Sequence, residues 1–117
     1  MPSPTRLLRI ADRIRQEIAE MFVRGEINDP RLLDIFITDV IVDRELSVAD
    51  IFVSAIESIE RKEVIMQGLE RARGFIRRNL ANRIELRTFP QLRFYWDVTP
   101  ERADRIERLI DNINKEK

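Results

Sequence analysis

The apolar residues of this 117-residue chain change their period along its length, from helical to two-fold and back, and then again. From about Pro4 to Arg24, Leu7, Ile10, Ala11, Ile14, Ile18, Met21 and Phe22 recur at three- and four-residue intervals, the spacing of one apolar stripe on a helix. Gly25 ends that pattern, and Asn28-Asp29-Pro30-Arg31 reads as a turn. Ile35 to Val42 is β-branched and aromatic, and Val48 to Ala55 alternates with Ala49, Ile51, Val53 and Ala55 on one face. The five residues Asp43 to Ser47 between them suit a hairpin. Helical spacing returns at Ile65, Leu69 and Ala72 and resumes after Gly74 at Ile76, Leu80 and Ile84. Ser58 or Glu60 is the expected cap. A third alternating stretch has Leu92, Phe94, Trp96 and Val98 on one side and Arg93, Tyr95 and Asp97 on the other, entered through Pro90. Thr99-Pro100-Glu101 then starts a last helix that buries Ala103, Ile106, Ile110 and Ile113. Two strand blocks enclosed by helices predict an α+β fold, with helices on one face of a three-stranded sheet and the other face partly exposed. One domain is expected over residues 1–117, with a core about 6–98 and a C-terminal helix about 100–114.

The chain has no cysteine and no histidine. Disulfides, zinc-thiolate sites and cysteine nucleophiles are therefore excluded, as are the commonest acid–base group and metal ligand. No Gly-rich phosphate loop is present, so an enzyme is not expected. The carboxylates Asp39, Asp43 and Asp50 fall on exposed strand and turn positions and are not read as a metal site. Neither a cofactor nor a metal is expected. No apolar run approaches a membrane span, and the first residues lack the apolar stretch of a secretory signal, so the expected setting is the cytoplasm.

Net charge is zero, but the charges are segregated along the chain. Residues 29–60 carry two arginines against eight acids, and residues 61–90 carry eight basic groups against three acids. Screening confines a surface charge to about 8 Å at physiological salt, so a polyanion responds to local charge and not to the total.

The densest basic stretch is Leu69 to Leu80, an arginine-rich amphipathic helix containing Gly74. A glycine inside a helix costs about 1 kcal/mol relative to alanine. Two helices meeting at a bend, or a partner approaching the backbone closely, would account for it. Arg71, Arg73, Arg77 and Arg78 around that point suggest a phosphate backbone as the partner. Arg6, Arg9 and Arg13 share one face of the first helix and extend the candidate surface. The competing reading of that face is a solvated one, with Arg13–Glu17 and Glu20–Arg24 pairs.

The element order resembles the bacterial, type II KH domain: helix, strand, strand, helix, kink, helix, strand. A KH domain clamps nucleic acid with a GXXG loop, whereas this chain has Ala72-Arg73-Gly74 at that place. That substitution is similar to the ribosome-binding factor A family. So are Arg13-Ile14, Glu17-Ile18, Asp29-Pro30-Arg31-Leu32, Thr38-Asp39-Val40, Ala49 and Val53-Ser54. Phe75-Ile76-Arg77, Leu86 to Phe94 and Asp97 continue the resemblance, which runs from about Arg6 to Ile113. It implies a KH-like fold with an alanine-x-glycine kink. It also implies binding to the 30S subunit or its precursor, and help with 16S rRNA folding and processing near the 5′ end and the decoding region. It implies no catalysis and no membrane, and a monomer is expected when free. The RNA-binding set is then Arg71, Ala72, Arg73, Gly74, Arg77 and Arg78, with Arg6, Arg9 and Arg13. Asp50 departs from the family, which often carries lysine or arginine there, and Asp43 with Glu45 makes the hairpin acidic. The alternative function is a protein-interaction module using Phe36 or Phe52 with Tyr95 on the open sheet face.

Overall fold

The computed structural model describes residues 2–56 and 59–99. Helix α1 spans Pro4–Val23. The Ser3 hydroxyl caps it by accepting the Arg6 amide at 3.2 Å, and proline occupies its first turn, where no backbone donor is needed. At its far end Gly25 takes φ +70°. The Glu26 amide then reaches back to the Met21 carbonyl at 2.9 Å, and the Gly25 amide to that of Phe22 at 3.2 Å. This left-handed stop satisfies carbonyls that the helix itself leaves open. Ile10, Ala11, Ile14, Ile18 and Met21 form the buried stripe.

Strands β1 (Ile35–Val42) and β2 (Val48–Ala55) pair antiparallel, and β3 (Gln91–Trp96) pairs parallel to β2, which is central. A parallel neighbour needs a crossover, and helix α2 (Lys62–Arg83) supplies it. The register places Val42, Ala49 and Leu92 in one row and Val40, Ile51 and Phe94 in the next. All six are buried on the face packed against α1 and α2. A bulge between Ile37 and Asp39 lets the Thr38 hydroxyl donate to Asp97 at 2.6 Å, which ties β1 to the residue just after β3. In the hairpin, the Asp43 carboxylate accepts the Ser47 amide at 2.7 Å, the Val48 amide at 2.9 Å and the Ser47 hydroxyl. These bonds hold its acid below the ordinary carboxylate range.

The α+β order and the two hairpin strands match the sequence reading, with three local corrections. α2 runs unbroken through Gly74, where two helices meeting at a bend were expected. Ile65, Leu69, Ile76 and Leu80 anchor both sides of the glycine on one buried stripe, and packing of that stripe outweighs the propensity cost. The N-cap position is Arg61, with no side-chain cap, and Glu60 lies in the preceding 3₁₀ turn. β3 ends at Trp96, so Val98 lies beyond the ladder. Ser58 and the helix expected over about 100–114 lie outside the described residues.

A short 3₁₀ turn, Pro30–Leu32, fixes the position of α2. Leu32 is buried against Gly68, where an added Cβ would stand 3.0 Å from Leu32 Cδ2 and 3.3 Å from Arg31 Nε. The close approach that requires a glycine is therefore at Gly68.

Candidate nucleic-acid interface

With about 100° per residue, Gly74 lies nearly opposite the buried stripe of α2. It is exposed, and the nearest atom to a Cβ added there would be Arg78 Nη1 at 3.5 Å. Among the described residues no helix crosses at this point, so a tight contact between described helices does not account for the glycine. Arg78, Arg71 and Phe75 follow Gly74 within a sector of roughly 100° on one side. All three are exposed, and neither arginine has an ion-pair partner among the described residues.

Arg73 and Arg77 form a second column on the other side of Gly74, and the structure occupies both. Arg73 pairs weakly with Glu70 at 3.4 Å. Arg77 is half-buried and donates from Nε to the Pro90 carbonyl at 3.0 Å and from Nη2 to the Phe89 carbonyl at 2.7 Å. It is a strut between α2 and the entry to β3. Ala72 is half-buried and packs on the core. The loop that Arg77 holds also carries Arg87, which is exposed and without an ion pair among the described residues.

The α1 arginines divide in the same way. Arg13 bonds Glu17 at 3.2 Å and the Arg83 carbonyl at 3.0 Å. Arg83 in turn holds Glu26 through two contacts at 2.8 and 2.7 Å and lies 3.5 Å from Glu17, and these partners raise its already high pKa. Arg13 thus belongs to a clasp between α1 and the end of α2, nine residues beyond Gly74. The Glu20–Arg24 pair expected on a solvated face is also present. Arg6 and Arg9 are exposed at the start of α1 without ion pairs among the described residues.

Folding also pairs off much of the charge segregation seen along the chain. Asp29 pairs with Arg31 at 2.7 Å, Asp34 with Arg61, and Asp50 with Arg93 across β2 and β3 at 2.7 Å. Asp50 is thereby the cross-strand partner of Arg93. Hydrogen bonds from the Arg31 side chain, then its backbone amide, pull the Asp29 acid down to about 2, and nearby Arg71 adds to this. Asp43 is held by the hairpin, and among the described residues no group of acidic side chains could hold a metal ion. On the open sheet face Phe52 stacks on Tyr95 with centroids 5.4 Å apart, and Arg93 lies 5.8 Å over the Tyr95 ring. Phe36 and Tyr95 are each 39% exposed.

The sequence brings Arg71, Gly74 and Arg78 to attention, and the structure unites them. Phe75 shares their sector without being basic, and its offset from Ile76 on the helical wheel places it outside the stripe.

Comparison with known proteins bears on the family and the fold. The family model described as ribosome-binding factor A matches residues 6–110. A ribosome-binding factor A of Aromatoleum aromaticum is 38% identical over 109 residues, covering 93% of this chain and 85% of the relative. One from Nitrosomonas eutropha is 39% identical over 107 residues, covering 92% of this chain and 91% of the relative. The solution structure of a Thermotoga maritima protein, a putative ribosome binding factor A, superposes with a TM-score of 0.69 at 27% identity, covering 81% of this chain and 90% of that one. The crystal structure of the Thermus thermophilus factor gives 0.65 at 26% identity, covering 76% and 93%. Sequence match and KH-like architecture lead to one assignment, and the chain belongs to the ribosome-binding factor A family.

Proposed function

We propose that this protein binds the small ribosomal subunit, or its precursor, through the outer sector of α2, with Arg71 and Arg78 on phosphates around Gly74. The observation that carries this reading is the exposed glycine in an unbroken helix, where a side chain would meet only the Arg78 guanidinium among the described residues. Among the described residues no backbone or apolar side chain packs on it to explain its propensity cost, and a ribose-phosphate can approach the bare backbone. Arg6, Arg9 and Arg87 extend the basic surface, and Arg73 can leave its weak, exposed pair with Glu70. A ribosome binding factor A of Thermus thermophilus has been fitted into a map of a 30S complex, which supports the same partner here. The role that follows is assistance in 16S rRNA folding and processing near the 5′ end and the decoding region, in the cytoplasm and without catalysis. Phosphate contacts position a protein without reading bases, so selectivity would come from the shape of the subunit.

Co-sedimentation with precursor and mature small subunits across a salt series tests this. The double variant Arg71→Glu, Arg78→Glu should weaken binding and flatten the log–log salt slope by about one unit for each phosphate no longer neutralised. Wild-type affinity and slope in a variant with an unchanged melting curve would overturn the assignment. The exposed Phe36 and Tyr95 keep a protein partner as the second reading, and ribonuclease-resistant binding with little salt dependence would favour it.

A further inference from the structure

Phe75 is 40% exposed and takes no part in the core, which its neighbour Ile76 fills. A lone exposed phenylalanine is ordinary on a protein surface. This one stands four residues after Arg71 and three before Arg78, on the same sector as the open Gly74. Arg71 to Arg78 spans about 10 Å along the helix axis, with the ring between them. Two cations flanking an exposed aromatic ring match one nucleotide, its base on the ring and its phosphates on the guanidinium groups.

We propose that Phe75 stacks an unpaired base, so that the ligand of the α2 surface is single-stranded RNA and not duplex. This rests on the phosphate-binding reading above and adds the class of RNA. In an A-form duplex the bases are stacked on one another and the major groove is too narrow to admit side chains, so a ring on a helix gains nothing from it. An unpaired base offers its π-face whatever its identity. The other aromatic surface, Phe52 with Tyr95, is less suited to this ligand. Asp50 lies beside it, and its arginine is already bound to that carboxylate.

The test is fluorescence anisotropy at low salt with two labelled probes, a 12-nucleotide oligoadenylate and a 12-base-pair RNA duplex. The wild-type protein should prefer the single strand. Phe75→Leu should weaken single-strand binding about tenfold and leave duplex binding and the salt slope unchanged, while Phe75→Trp keeps the affinity. Arg71→Glu with Arg78→Glu should weaken both probes. Several results overturn the proposal: no measurable binding of the single strand, equal affinity for the two probes, unchanged single-strand affinity in Phe75→Leu, or failure of Phe75→Leu to fold. If Phe75→Leu is silent while the arginine variant loses both probes, stacking is excluded and the phosphate reading stands. If neither variant changes binding, both readings fail.

Discussion

Two glycines of α2 stand six residues apart under opposite constraints. At Gly74 an added methyl group meets, among the described residues, only the end of the Arg78 side chain, so alanine recovers helix propensity of up to about 1 kcal/mol. Gly74→Ala should therefore raise the melting temperature by a few degrees, given roughly 4–8 °C per kcal/mol in domains of this size. The same methyl group would stand where the proposed phosphate approaches, and subunit binding should fall several-fold. Calorimetry and co-sedimentation on the one variant check both effects, and a rise in stability without loss of binding would refute the functional reading of this glycine. Gly68 is the contrast. Alanine there gains the same propensity but presses on Leu32, which is 2% exposed, at 3.0 Å from its Cδ2. Overpacking of this kind costs about 1–3 kcal/mol, so Gly68→Ala should lower the melting temperature.

The elements that repeat a pattern are the ones the sequence displays. The alternation of Ala49, Ile51 and Val53 locates β2 to the residue, because each side chain chooses between core and solvent locally. Contacts between distant segments leave no such trace. Arg77 has the same residue type and local setting as Arg78, yet its guanidinium is taken up by carbonyls twelve and thirteen residues away. Leu32 on Gly68 and Arg13 on the Arg83 carbonyl belong to the same class. The candidate site was thus legible as a helix with its arginines, but not which arginines the fold consumes. Arg77→Ala is expected to destabilise the protein by about 1.5–3 kcal/mol, the usual cost of losing hydrogen bonds to a charged group, because two carbonyls at buried Phe89 and Pro90 lose their donor. Arg77→Lys should restore only part of this, since an ammonium lacks the planar fork that spans both carbonyls. Urea unfolding checks the order wild type, lysine, alanine. Equal stability of all three would mean that the strut carries no weight.

At the scale of the whole molecule, acidic side chains of the segment 29–60, with Asp97, serve the fold more than they oppose the arginine surface. Asp29, Asp43 and Asp97 are all held below the ordinary carboxylate value of 3.8, by Arg31, by the hairpin hydroxyl and amides, and by the Thr38 hydroxyl respectively. A carboxylate whose folded pKa is depressed binds fewer protons in the native state than in the unfolded chain. Its contribution is complete above the unfolded pKa and is lost as pH falls through the folded one. With Asp29 at about 2, that window runs from about pH 4 down to about pH 2. No histidine is present to titrate at higher pH, and these three acids contribute to the acid limb of the stability curve. The denaturation midpoint should stay level from pH 7 to about 5 and drop steeply below 4. Asp29→Asn removes one of the three titrations. It should start lower at pH 7, where the pair with Arg31 is lost, and converge on the wild type near pH 2, giving a shallower curve. A variant curve parallel to the wild type down to pH 2 would show that Asp29 titrates alike in the folded and unfolded chains. The turn that seats Leu32 on Gly68 would then owe nothing to its charge.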